Sequence, residues 1–197
     1  MSDDPLVLTV LTSSLRTGRF APVVADWFLR RAREHDGLVV TCVDLDEVIT
    51  PRLWSDPSQG PKWRRVVGGS DAFVVVTPEY NHSYPGLLKH AIDSLNQEWH
   101  RKPVGFVSYG GLSGGLRAVE ALRLVFAELY AVSIRDTVSF HGARACFDEE
   151  GEPLDRVAAE TAALRLLNEL TWWARALRTA RSHGLPAEPQ VAGVPTG

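Results

Sequence analysis

Cysteine is scarce in this 197-residue chain: only Cys42 and Cys146 occur, far apart and without metal-ligand spacing. That argues against a disulfide framework and a zinc site, and for a reducing, cytoplasmic setting. Charge of one sign is scarce too. The net charge is −3, so no basic field is available to draw in nucleic acid, and none is expected as a partner. Long apolar runs are missing. The run after the acidic opening MSDDP has the length of a strand and is too short to cross a bilayer, and a signal peptide would open with positive charge. No Ser-His-Asp, Cys-His or paired-carboxylate constellation stands out, and neither a Walker loop nor a GxGxxG fingerprint occurs. What remains, 45% hydrophobic and 23% charged residues, is ordinary for a globular chain of one domain.

The apolar runs alternate with helical patterns. Residues 6–12, 38–43, 72–76, 103–107 and 132–140 read as strands. Helical spacing joins Phe20, Val23, Val24, Trp27 and Phe28, with basic residues crowding the last turns before Gly37. Residues 44–60 read as a long loop and 61–69 as a short helix. A helix opens near Pro85 and runs to about Leu95, and a stronger one follows Gly114 and Gly115 through Leu129. DEEGEP at 148–153 is a turn or exposed hairpin. A last helix from about Leu154 to Arg181 carries Leu164, Leu167, Leu170 and Trp173 on one stripe, and the Pro- and Gly-bearing stretch 182–197 reads as a disordered tail. This order predicts an α/β three-layer sandwich over residues 1–181, a five-stranded parallel sheet in the order 2-1-3-4-5 with helices on both faces.

Three loops then fall at neighbouring strand ends, where open α/β sheets bind ligands. The first, SSLRTGR at 13–19, meets a helix start, whose free N–H groups suit a phosphate. Ser14, Thr17, Arg16 and Arg19 add donors, each bond to a charged group being worth roughly 1.5–3 kcal/mol. Alone, this loop reads more readily as a helix cap with two surface arginines, because caps are common. The second, PEYNHSYPG at 78–86, has its backbone shaped by two prolines and a glycine. Asn81 suits the polar edge of a heterocycle and Tyr80 the face of a ring. The third, SYGGLSGG at 108–115, holds four glycines in eight residues, which lets backbone approach a flat ligand. Taken alone it is also a flexible connection.

Together the three loops resemble the NADPH-dependent FMN reductase family of flavodoxin-like proteins, over roughly residues 6–130. The likeness is most specific in PEYN at 78–81, in Pro85, Gly86, Leu88, Lys89 and Asp93, and in KPVGFVSYGGLSGG at 102–115. It implies tight, noncovalent FMN and NADPH or NADH as donor. It places Ser14 and Arg16, with Arg19 and Phe20 beside them, at the flavin phosphate. It places Pro78, Glu79, Tyr80 and Asn81 along the ring and ribityl chain, and Ser108, Tyr109, Gly110 and Gly111 by the pyrimidine side. Two positions depart from the family pattern: Ser13 stands where glycine is usual, and Arg19 where serine is usual. Arg19 therefore reads either as a substitute cation or as a solvent-facing side chain.

The resemblance implies an NAD(P)H-dependent enzyme that passes hydride through FMN to a quinone, azo compound, metal oxyanion or free flavin. It also implies a homodimer or homotetramer, with Trp99 at the subunit interface and Trp172 and Trp173 in core or subunit packing. The alternatives are a flavodoxin-type electron carrier, against which the modest charge and Arg-bearing loop weigh, and a catalytically inactive flavin-binding regulator. Cys42 reads as a core residue. Glu79 reads as a structural or dimer contact sooner than a general acid. His82 sits where it can face substrate.

Overall fold

Strand β3 (Ala72–Pro78) is buried at every position. A strand reads this way when helices cover both faces of a parallel sheet. Its neighbours are β1 (Leu6–Thr12) and β4 (Pro103–Gly110), with β2 (Leu38–Asp44) and β5 (Val132–His141) at the edges. All pairings are parallel and the order is β2-β1-β3-β4-β5, as expected from the alternation of elements. The computed structural model describes residues 4–14, 18–48 and 60–184.

Helices α1 (Ala21–Glu34) and α6 (Arg156–Ser182) cover one face. Trp27, Phe28, Phe140, Phe147, Leu166, Leu167 and Leu170 fill that layer. Helices α3 (Gly60–Gly69), α4 (Gly86–Asp93) and α5 (Leu116–Glu128) cover the other, over Trp63, Phe73, Trp99, Phe106 and Phe126. Among the described residues no helix is long and apolar enough to cross a membrane.

Several elements depart from the sequence reading. The stretch expected as a loop opens with a short helix, α2 (Leu45–Val48); residues 49–59 lie outside the described ones. On α6 the buried stripe runs through Ala163, Leu166, Leu167, Leu170 and Ala174, whereas Leu164 is exposed. Helix α6 begins at Asp155, whose carboxylate accepts from the Ala158 N–H at 3.1 Å. It extends one residue past the expected end, through Ser182, and residues 185–197 are outside the described part.

Cys42 is exposed, not a core residue, because β2 is an edge strand with only Val43 fully covered. Trp99 lies in the core and not on a subunit surface. A single 3-10 turn, Gln97–Trp99, folds its ring inward against Phe73 (4.8 Å between centroids), while Nε1 donates to the Ile92 carbonyl at 3.1 Å. It therefore shares no surface with Trp172, which is exposed and makes an edge contact with Trp173.

Candidate functional site

Strands β3 and β4 run further than their apolar cores suggest, so Pro78, Ser108, Tyr109 and Gly110 are strand residues. That fixes which way each side chain points. Ser108 turns into the fold, fully buried, and its hydroxyl donates to the Gly114 carbonyl at 2.9 Å. Tyr109, one residue on, turns to the other face, beneath the first loop, with its ring 6.3 Å from Phe20.

A cavity of about 510 Å³ opens at the carboxyl ends of the strands, a volume ordinary for a small-molecule site. Nine of the twelve residues expected at a flavin line it: Ser14, Arg19, Phe20, Pro78, Glu79, Tyr80, Tyr109, Gly110 and Gly111. Arg16 falls outside the described residues, and Asn81 and Ser108 do not line the cavity. Asn81 and His82 form the tip of a two-residue turn with φ of 48° and 74°, closed by reciprocal backbone bonds between Tyr80 and Ser83. Both tip residues point their exposure to solvent.

The first loop is tied down from below. Ser13 donates twice to the Val76 carbonyl, from its N–H and its hydroxyl, each at 3.1 Å. The Ser14 hydroxyl shares a 2.7 Å hydrogen bond with Tyr80 Oη. Arg19 does not face solvent. Its guanidinium grips Asp44 through Nη1 at 2.8 Å and Nη2 at 2.6 Å, and also reaches the Ser14 carbonyl at 3.0 Å. The Asp44 hydrogen bond holds its proton more firmly than usual. Arg19 thus braces the loop against the end of β2.

The second and third loops are joined through Glu79. Its carboxylate accepts from Ser113 Oγ, from the Arg117 N–H at 3.1 Å and from Arg117 Nη1 at 2.8 Å. Burial pushes the carboxyl up, but the Ser113 and Arg117 hydrogen bonds outweigh it and hold the pKa below the ordinary glutamate value. Glu79 is therefore an ionised strut, not a proton donor. Of the glycines close by, one is demanded by geometry and another leaves backbone open. At Gly115, φ is +89° and a Cβ would come within 2.6 Å of Ser108 Cβ. At Gly111 a Cβ would meet nothing within 4 Å, so that backbone is open.

Two features were not legible in the loops. The segment Gly142–Ala145 after β5 lines the cavity, with Arg144 reaching the Gly18 carbonyl at 2.7 Å. Its signal was topological: β5 adjoins β4, so its carboxyl end belongs to the same edge. The second is the Tyr109 phenol. It is buried, and among the described residues no partner meets hydrogen-bond geometry at Oη, although the nearby Ser14 hydroxyl, bonded to Tyr80, partly offsets the effect of burial. Burial pushes its pKa well up, so it stays a donor. An orphaned buried donor calls for a polar partner. With open glycine backbone on one side and aromatic and proline edges on the other, these residues fit a flat heteroaromatic cofactor with a polar chain. No cluster among the described residues is arranged to hold a metal.

A sequence model described as NADPH-dependent FMN reductase matches residues 7–145. An NAD(P)H-dependent FMN reductase of Schizosaccharomyces pombe is 35% identical over 119 residues, 55% of this chain and 60% of its own length. The chain thus spans about three fifths of that relative. One from Pseudomonas aeruginosa is 30% identical over 194 residues, covering 90% of this chain and 100% of its own. Other relatives bear the names quinone reductase and FMN-dependent NADPH-azoreductase. Among solved structures, the flavoenzyme FerB of Paracoccus denitrificans superposes with a TM-score of 0.70 at 21% identity, covering 87% of this chain and 98% of FerB, a likeness of fold. Because the match takes in all three loops and the segment after β5 that together enclose the cavity, the chain belongs to the NADPH-dependent FMN reductase family.

Proposed function

We propose that the protein is an FMN-dependent NAD(P)H oxidoreductase acting on a small electron acceptor: a quinone, an azo compound, a metal oxyanion or free flavin. The observation that carries this reading is the cavity itself, which pairs open backbone at Gly111 with the aromatic side chains of Phe20, Tyr80 and Tyr109. The relatives named quinone reductase and azoreductase support the first two acceptor classes.

FMN held by Ser14, Pro78, Glu79, Tyr80, Tyr109, Gly110 and Gly111 would supply the hydride-transfer and electron-transfer chemistry between nicotinamide and acceptor. The chain's own residues position and exclude. Ser14 and the start of α1 receive the phosphate end, and Pro78, Glu79 and Tyr80 flank the cavity opposite Tyr109, Gly110 and Gly111. The Tyr109 ring would form part of the wall against which the bound group lies. Glu79, ionised and bound on three sides, keeps the two ring-facing loops at a fixed spacing. Neither Glu79 nor Tyr109 has a pKa suited to proton transfer near neutrality, which agrees with chemistry lodged in the cofactor.

We extend the proposal to a cytoplasmic homodimer. Both cysteines are free, in keeping with a reducing compartment. Leu112, Leu116 and Leu124 are exposed along the third loop and α5, an apolar surface that a second copy covers. A monomeric mass by light scattering would remove the dimer.

The test is direct. Purified protein should be yellow, and NADPH or NADH should bleach it without oxygen, with colour restored by a quinone. Oxidation of NADPH by the isolated protein separates this reading from a flavodoxin-type carrier and from an inactive regulator. Colourless protein that takes up no added FMN sinks it.

A further inference from the structure

The next inference rests on the proposed flavin site and concerns the side chain that recognises the flavin's phosphate. Of the two arginines in the first loop, Arg16 lies outside the described residues and Arg19 is spent. Asp44 takes both of its terminal nitrogens at 2.8 and 2.6 Å, and Asp46 stands 3.6 Å away. A guanidinium forked onto a carboxylate has its charge balanced and its best donor edge filled.

A different guanidinium stands at the same cavity. Arg144 comes from the segment after β5, 126 residues along the chain from the Gly18 it touches. Gly142 opens that segment with φ of 58°, and its N–H donates to the Gly111 carbonyl at 2.8 Å. The segment is thereby pinned to the third loop. Arg144 Nη2 reaches across to the Gly18 carbonyl at 2.7 Å, and Cζ lies 5.3 Å from the centre of the Phe20 ring. The side chain is exposed, and among the described residues it pairs with no carboxylate. A guanidinium has five N–H donors, and the contact to Gly18 uses one.

The surroundings are those an anion needs. Phe20 precedes the first turn of α1, and that turn holds no acidic residue to repel an anion. The Tyr109 donor lines the same cavity and feels the charges of both Arg19 and Arg144. We propose that Arg144 recognises the terminal phosphate of the bound flavin and sets the site's preference for FMN over riboflavin. Its contacts with Gly18 and Phe20 place it at the end of the cavity where α1 begins, which favours the flavin phosphate over a phosphate of the nicotinamide.

Riboflavin, which lacks the phosphate, makes the test clean. The full-length protein, freed of flavin, is titrated with FMN and with riboflavin by fluorescence quenching, as wild type, Arg144→Gln, Arg144→Lys and Arg178→Met. In Arg144→Gln, FMN affinity should fall about 10- to 100-fold while riboflavin affinity holds, so that the preference collapses. Arg144→Lys should restore part of it. Arg178→Met, which removes a guanidinium bound to Asp71 and the Asp4 carbonyl away from the cavity, should leave the FMN-to-riboflavin ratio in place. An unchanged ratio in Arg144→Gln, with FMN still bound, overturns the assignment. So does a loss of NADPH-over-NADH preference at unchanged FMN affinity, which would give Arg144 to the nicotinamide. Wild-type protein that binds neither flavin sinks the flavin reading itself, and this assignment with it.

Discussion

The Arg117 guanidinium lies 2.8 Å from the Glu79 carboxylate and ties the loop after β3 to the start of α5. Ser113, within the glycine-rich loop, binds the same carboxylate. Two walls of the cavity are therefore set by one acid, and loop spacing is linked to its ionisation.

That linkage has a sign. Glu79 has its folded pKa below the usual 4.5, because the Ser113 and Arg117 bonds exceed the opposing effect of burial. The folded state thus binds fewer protons than the unfolded chain in mild acid. The stabilisation is in full force above pH 4.5 and is lost as pH falls through the folded pKa. Glu79→Gln should flatten the acid limb of the melting-temperature profile as pH falls below 4.5. At neutral pH it should cost about 1–3 kcal/mol, because charge-assisted bonds become neutral ones. An acid limb as steep in the variant as in the wild type would contradict this.

Gly111 and Gly115 should respond to alanine in opposite ways. At Gly115 the new Cβ would sit 2.6 Å from Ser108 Cβ and 2.9 Å from the Tyr109 N, on a backbone with φ of +89°. The expected loss is at least about 1–3 kcal/mol, seen in urea unfolding. At Gly111 no atom lies within 4 Å of the added Cβ. Stability should hold within about 0.5 kcal/mol, while FMN binding weakens about tenfold as the methyl enters the cavity. Equal FMN affinity in Gly111→Ala would move the ligand away from that backbone.

The sheet order was legible because five apolar runs alternate with helical periods, and burial on both faces leaves β1, β3 and β4 almost uninterrupted. The site was legible as far as its loops are chemically odd. Tyr109 and Gly110 stood out beside glycines, whereas Arg144 sits in HGARA, which has no compositional mark and joins the site only because β5 lies against β4. Ser108 and Tyr109 share one motif, yet strand alternation turns them to opposite faces, and only Tyr109 lines the cavity. Trp99 misled because the family resemblance set it at a subunit interface, while a three-residue turn carries the indole inward. The role of Arg19 depended on Asp44, 25 residues away on the neighbouring strand, a pairing that spacing along the chain does not reveal.

Asp44→Asn should release Arg19. The pair is partly buried, about a fifth exposed on each side chain, so its loss is expected to cost only about 1 kcal/mol. The freed guanidinium would add positive charge beside Ser14, at the cavity. FMN affinity relative to riboflavin should rise severalfold in low salt and return toward the wild-type ratio as salt screens the charge. A falling ratio in calorimetric titration would show that the loop needs the brace more than the cavity needs a cation.

Lys102 gives a pH signature at the opposite end of the sheet. It is buried, and its ammonium donates to the Val67 and Gly68 carbonyls at 2.7 and 2.9 Å, at the end of α3. Burial, aided by the nearby Arg181 charge, lowers its pKa from 10.5 to about 8. In the unfolded chain the amine keeps its proton up to the ordinary value. Between pH 8 and 10.5 the unfolded state therefore binds more protons, and stability should rise with pH across that window. The full rise is on the order of 3 kcal/mol. Lys102→Met should abolish this rise. At neutral pH it exchanges a costly buried charge for two unpaired carbonyls, so the change there should be small beside the loss of slope. Urea unfolding of both proteins from neutral to alkaline pH reads the slope, and parallel profiles would show that Lys102 titrates as if in water.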